Sequence, residues 1–303
     1  MRRLHYHRVD VFTNRPFGGN PLAVFTNGRG LSTETMQAIT REMSLSESAF
    51  VLPPDDPAHA YRVRIFTPGR ELPMAGHPTV GTSFVLAREH MIERAGERKV
   101  VILEEGVGDI PVEINFTNGD TGMIWMTQPA PQFGARTGDV DAVADMLSLP
   151  SSAIDTRYPM EVVSTGVPMF YVPLVDLEAA RAVTINRRVF DRFMPAFGTS
   201  EVFVFTTEVE NPGSTVHSRM FAPELGILED PATGAASGPL GAYLVRYGIV
   251  HASPVAYIVS EQGIELGRPS FIHIQIERQG DELVRVQVGG ECVYVGEGFI
   301  EVE

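Results

Sequence analysis

Apolar and polar positions alternate in short runs over most of this chain, the period-two signature of strands with one buried face. In the first half such runs fall at 8–13, 22–26, 49–52, 61–66, 100–104, 112–116 and 123–127. Asn118-Gly119, between the last two, is a hairpin signal. The second half repeats the style at 169–174, 202–206, 216–221, 255–260, 271–276, 283–288 and 292–295. Helical periodicity is confined to 33–43, 79–90, 140–147, 186–193 and 235–247. Two of these helices are apolar on more than one face: Val80, Phe84, Val85 and Leu86 in one, Leu240, Ala242, Tyr243 and Leu244 in the other. In the second, Gly234, Gly238 and Gly241 would allow close packing. A helix apolar on most sides is buried, and a buried helix amid many short strands suggests a barrel wrapped around it. The pattern therefore predicts an α+β fold of two halves, each a β-barrel around a central helix.

Landmarks recur in the same order along the chain. Gly19-Asn20-Pro21-Leu22 is echoed by Gly166-Val167-Pro168-Met169, and Phe50 by Phe203. Arg64-Ile65-Phe66-Thr67-Pro68 is echoed by Arg219-Met220-Phe221-Ala222-Pro223, and Gly76 before a helix by Gly234 before another. The offsets of 147, 153, 155 and 158 residues grow smoothly, as small loop insertions would make them. Four ordered matches indicate an internal duplication. The Pro-rich break Gln128-Pro129-Ala130-Pro131-Gln132 places the boundary, giving a first half 1–130 and a second half 131–303, with the C-terminal strands free to return to the first.

Composition narrows the chemistry. The length of 303 residues suits two domains of about 150. A net charge of −14 without any basic stripe argues against nucleic acid and anionic membranes as partners. No signal peptide or long apolar segment is present, and Cys292 is the only cysteine, so a cytoplasmic location is expected. Lys99 is the only lysine and flanks a strand-like run, which disfavours Schiff-base and phosphate-loop chemistry. No Gly-x-Ser-x-Gly elbow occurs. His5 and His7 alternate on one strand, but no neighbouring cluster in the sequence completes a metal site, so they read as surface histidines and no metal is expected.

The two glycine turns remain. A buried helix start offers free N–H groups and a partial positive charge, a cradle for a carboxylate. Around these starts lie Glu71-Leu72-Pro73-Met74-Ala75-Gly76-His77-Pro78-Thr79 and Leu228-Glu229-Asp230-Pro231-Ala232-Thr233-Gly234-Ala235. Both carry ionisable groups, and the pair is expected to face one cleft. The plainer reading of either segment makes Thr79 or Thr233 a helix cap and leaves His77 and Asp230 as loop residues. Glu47, just before an apolar strand, is by local pattern a solvated end residue.

Several segments together resemble the PhzF-like phenazine biosynthesis family. They are Asp10-Val11-Phe12-Thr13, Phe17-Gly18-Gly19-Asn20-Pro21-Leu22-Ala23-Val24, Ser46-Glu47-Ser48-Ala49-Phe50, Gly76-His77-Pro78-Thr79, Glu229-Asp230-Pro231-Ala232-Thr233-Gly234 and Glu261-Gln262-Gly263. The resemblance spans nearly the whole chain. It implies a diaminopimelate-epimerase-like fold of two pseudo-symmetric halves, a homodimer, and cofactor-independent isomerisation of a small carboxylated metabolite such as trans-2,3-dihydro-3-hydroxyanthranilate. It further implies Glu47 as general acid/base with His77 and Asp230 as the other catalytic groups. Asn20, Ser46, Gly76, Thr233, Gly234 and Ala235 fall at its substrate-binding positions. One departure stands out: where the family often has serine after the second Thr-Gly, this chain has Ala235, with Ser237 two places on. That keeps open an epimerase or isomerase of another amino-acid-like metabolite, or a non-catalytic metabolite-binding homologue. Two-thiol racemisation is excluded by the cysteine count.

Overall fold

In the computed structural model, which describes residues 1–117 and 119–302, the chain divides into two compact units, Met1–Thr127 with Gln287–Glu303, and Gln128–Val286. The first unit runs β1 (Arg2–Val11), β2 (Asn20–Phe25), α1 (Thr33–Met43), β3 (Glu47–Leu52), β4 (Tyr61–Phe66), β5 (Glu71–Leu72), α2 (Gly76–Arg88), β6 (Arg98–Glu105), β7 (Gly108–Thr117) and β8 (Asp120–Gln128). The second continues with β9 (Gln132–Thr137), α3 (Val140–Leu147), β10 (Met160–Ser164), β11 (Pro168–Pro173), α4 (Leu177–Ala182), α5 (Arg187–Phe193), β12 (Val202–Thr206), β13 (Val216–Ala222) and β14 (Ile227–Asp230). It then adds α6 (Gly234–Arg246), β15 (Val255–Gln262), β16 (Ser270–Gln279) and the start of β17 (Glu282–Gly290), whose residues from Gln287 onward belong with β18 (Cys292–Val302) to the first unit. No described helix is long and apolar enough to cross a membrane.

The second unit ends at Val286, and the C-terminal strand returns to the first. The reason is pairing: β18 runs antiparallel to β1 from Arg2↔Val302 to Val11↔Cys292, so the C-terminal strand satisfies the backbone groups of the N-terminal one. The boundary is also a little earlier than the Pro-rich break suggests, because Gln128 is buried rather than part of a linker. Asn118, the hairpin residue, lies outside the described residues; β7 and β8 on either side of it pair antiparallel.

The strand pairing of one unit is repeated in the other. β2 pairs parallel with β3, β3 antiparallel with β4, and β4 antiparallel with β5 and parallel with β6. Likewise β11 pairs parallel with β12, β12 antiparallel with β13, and β13 antiparallel with β14 and parallel with β15. The helix that follows the short strand is α2 in one unit and α6 in the other. Both helices are buried from their first residue to the last turn. α2 packs on β1, β2, β3, β7 and β18; α6 packs on β10, β15 and β16. Gly81 lets α2 sit this close, since a Cβ there would lie 2.7 Å from Leu22 Cδ2 and from Val11 Cγ2. Gly241 does the same for α6, 2.6 Å from Ile274 Cγ2. Each helix is thus held at a fixed depth, which sets where its N-terminus opens.

Candidate active site

In the first unit the parallel β2–β3 pairing sets Leu22 opposite Glu47, so the start of β3 lies beside Asn20 at the start of β2. Asn20 is fully buried; its Oδ1 accepts from the Ser46 hydroxyl at 3.0 Å, and its Nδ2 lies 3.2 Å from His77 Nδ1. An amide whose oxygen is already taken presents its NH2 to the ring, so Nδ1 accepts and the imidazole proton sits on Nε2. Burial keeps this ring neutral, with its pKa pushed down to about 3. His77 Nε2 stands 3.1 Å from Glu47 Oε2, yet it makes no hydrogen bond of good geometry among the described residues. The result is a chain of Ser46, Asn20 and His77 that fixes one neutral N–H next to a buried carboxyl group. Such an N–H can donate to an oxygen that gains charge while Glu47 handles a proton.

The start of α2 has no side-chain cap; its N-cap is Ala75. Thr79 does not fill that role. Its Oγ1 lies 2.6 Å from the Ala75 carbonyl and 2.5 Å from Glu105 Oε1. One hydroxyl carries one hydrogen, so both contacts are satisfied when Glu105 supplies a proton of its own. Burial agrees, raising the Glu105 pKa to about 8 despite the opposing hydrogen bonds from Thr79 and the Ala75 N–H. Its sign is that of an acid favoured in its neutral form. From pH 4.5 upward the unfolded chain releases a proton that the fold retains, so this contribution to stability declines until about pH 8. The loss is on the order of a few kcal/mol. Glu105→Gln is expected to be more stable than the parent at pH 8.5 relative to pH 5, as read by urea denaturation. An equal pH dependence in both would show that Glu105 is ionised in the fold.

In the second unit Asp230 ends β14 and is buried. The Thr233 hydroxyl donates to Asp230 Oδ2 at 2.5 Å, so it holds the carboxylate instead of capping α6. Gln262, at the end of β15, ties this turn together. Its Nε2 donates to the Asp230 carbonyl at 2.7 Å and to Thr233 Oγ1 at 3.0 Å, and its Oε1 accepts from the Thr233 N–H at 3.1 Å. Gly234 begins α6, with its carbonyl held by Gln128 Nε2 at 3.0 Å. Ala235 is buried in the first turn. Ser237 does not stand in for the missing hydroxyl, because its Oγ donates back to the Thr233 carbonyl at 2.9 Å.

The first unit thus brings together Glu47, His77, Asn20 and Ser46, and the second brings together Asp230, Thr233, Gly234 and Ala235. Glu105, Gln128 and Gln262 were missed. Only Gln262 had a signal, since it lies within Glu261-Gln262-Gly263. Neither glycine turn carries a thiol, and Cys292 sits in β18, where burial pushes its thiol pKa up. The reading of His5 and His7 as surface histidines needs correction: His7 is buried, and Glu297 on β18 joins the two rings.

A profile of phenazine biosynthesis-like proteins (PhzC-PhzF) matches residues 9–298. An uncharacterized isomerase of Mesorhizobium japonicum is 35% identical, covering 98% of this chain and 99% of the relative. The trans-2,3-dihydro-3-hydroxyanthranilate isomerase of Pseudomonas chlororaphis is 36% identical with the same coverage. A crystal structure of a PhzF-family phenazine biosynthesis protein from Bacillus anthracis superposes with a TM-score of 0.90 at 29% identity, over 100% of both chains. With its mixed sheet, its buried helices and a family match over almost its whole length, the chain belongs to the phenazine biosynthesis-like PhzC-PhzF family.

Proposed function

We propose that this protein is an isomerase that relocates a proton on a small carboxylated metabolite, with trans-2,3-dihydro-3-hydroxyanthranilate as the first candidate. The observation that carries this reading is the buried Glu47 beside the neutral N–H of His77, 3.1 Å apart. In the proposed reaction the Glu47 carboxylate removes a proton from carbon. The electron pair of the broken C–H bond moves into the adjoining unsaturated system, and the carboxylic acid so formed returns the proton to another carbon. No electrons are gained or lost overall, so the step calls for no redox cofactor. His77 donates to the oxygen on which charge builds up. The uncapped start of α2 at Gly76 receives the substrate carboxylate, and Asn20 and Ser46 hold His77 in its tautomer. In the second unit, Asp230 is kept in place by Thr233 and Gln262 beside the α6 start at Gly234, which is assigned as an anion cradle of that unit. In keeping with the family, we infer that each unit closes as a barrel around its buried helix and that the active form is a cytoplasmic homodimer.

A second reading, an isomerase or epimerase of another amino-acid-like metabolite, is favoured by one feature. The hydroxyl absent at Ala235 is not replaced, since Ser237 is committed to the helix backbone. A site lacking one donor satisfies a different set of substrate polar groups. Proton NMR in heavy water separates the readings. Consumption of trans-2,3-dihydro-3-hydroxyanthranilate with appearance of its isomer is the expected result. Inertness toward it, with deuterium entering another amino-acid-like compound, selects the second reading. Ligand binding without turnover or exchange of any compound would leave a metabolite-binding protein and overturn both.

A further inference from the structure

The antiparallel register of β1 and β18 sets His7 opposite Glu297, and His5, two residues away, shares the face of His7. His5 Nε2 lies 3.2 Å from Glu297 Oε2, and His7 Nδ1 lies 4.0 Å from the same oxygen. All three donor atoms fall within 4.8 Å of one another. Ligands of a tetrahedral zinc ion, with bonds of about 2.1 Å, stand roughly 3.4 Å apart. The 3.2 Å pair already matches that spacing, the 4.0 Å pair needs about 0.6 Å of closure, and the two histidine nitrogens lie no more than 4.8 Å apart. The carboxylate of Glu89, which follows α2, lies 3.7 Å from His7 Nδ1 and supplies a second negative charge.

His5 Nε2 is buried and makes no hydrogen bond among the described residues, although an acceptor stands 3.2 Å away. The nitrogen is buried within the cluster, beside the Glu297 carboxylate. Tyr294 donates its hydroxyl to Glu297 Oε2 at 2.9 Å, which orients that carboxylate in the way outer hydrogen bonds orient metal ligands. One opposing charge is nearby: the Arg88 guanidinium lies 4.0 Å over the Tyr294 ring. Against it stand the two carboxylates of Glu89 and Glu297.

We propose that His5, His7 and Glu297 form a binding site for one divalent transition-metal ion of the zinc class, with Glu89 beside it as the compensating charge. Two imidazole nitrogens and a carboxylate oxygen suit zinc, nickel or copper and not the all-oxygen shells of magnesium or calcium. The ion joins the N-terminal strand to the C-terminal one, next to the end of α2. It is a structural clip, because none of its ligands belongs to the Glu47–His77 pair.

Isothermal titration of tag-free, chelator-treated protein with zinc chloride tests this. One ion per chain is expected, with affinity weakened at least about tenfold in His5→Gln and in Glu297→Gln and less in Tyr294→Phe. Both His5 and Glu297 are partly exposed, at 34% and 55% of their side chains, so these variants keep the fold. Zinc is expected to raise the thermal midpoint of the parent but not of the two ligand variants. Cobalt(II) added to the unmutated protein gives an independent readout, an intense visible absorption of a four-coordinate ion with nitrogen ligands. Absence of saturable zinc binding, zinc binding unchanged in both variants, or a cobalt spectrum of the aquo ion would each overturn the site.

Discussion

Glu47→Gln is expected to lower kcat for isomerisation about a thousandfold or more, with little change in KM. The amide matches the carboxylate in size, and Glu47 makes its contacts at a strand start already fixed by pairing with β2, so the fold is retained. What disappears is the only group in the Ser46–Asn20–His77–Glu47 chain that can take a proton from carbon near neutral pH. His77 cannot replace it, because Asn20 occupies its Nδ1 and its Nε2 already carries the hydrogen. His77→Gln is therefore expected to be less damaging, losing a charge-stabilising donor but no base. Steady-state kinetics with each variant reads the difference. A Glu47→Gln enzyme that turns over at the parent rate would remove Glu47 from the mechanism.

The largest stability effect is expected at Arg219, where Arg219→Met should cost about 3–5 kcal/mol. Arg219 is buried on β13, and its guanidinium forks onto both oxygens of Glu229 at 2.8 Å. Its remaining nitrogen donates to the carbonyls of Ala180 at 2.8 Å and Val183 at 3.1 Å. One side chain thus closes the C-terminal end of α4 and anchors the strand that delivers Asp230. Methionine fills much of the volume but strips the Glu229 carboxylate, only 11% exposed, of its cationic partner and takes one donor from each of the Ala180 and Val183 carbonyls. Urea denaturation measures the loss. Adding Glu229→Met is expected to restore part of it, because the stranded charge is then gone as well. A double variant no more stable than Arg219→Met alone would mean that the pair is not coupled.

Where the hydrophobic pattern was strong, the sequence showed the elements well. β4, β12, α1 and α3 were read at their observed bounds. α1 and α3 are bracketed by Ser32 and Asp139, each accepting from a backbone N–H of the first turn. β10 was missed for a physical reason: Glu161 breaks its apolar run, yet it is buried because Arg136 and Tyr247 satisfy its carboxylate. β9 was missed because its side chains are almost all exposed or half-exposed, which leaves no period-two signal.

The site was legible in a different way. Local pattern alone left Glu47 as a strand-end glutamate; only its likeness to a family motif marked it out. Glu105 was illegible because nothing near it in sequence announces its partner, and Gln262 was marked only by the Glu261-Gln262-Gly263 segment. Gln262 reaches Asp230 through the parallel pairing that sets Ser218 opposite it. Glu105 reaches Thr79 from the end of β6, across 26 residues.

The return of β18 to β1 also fixes an order of events during synthesis. As the ribosome proceeds, every segment of the Gln128–Val286 unit has emerged before the last strand of the first unit exists. Until 292–302 are made, β1 is paired along one edge only, with β2. The nascent chain can thus complete its second unit while the first still presents an open strand edge, the kind of surface on which chaperones act and neighbouring chains mispair. Closing that edge waits for 292–302, which follow the whole of the second unit along the chain.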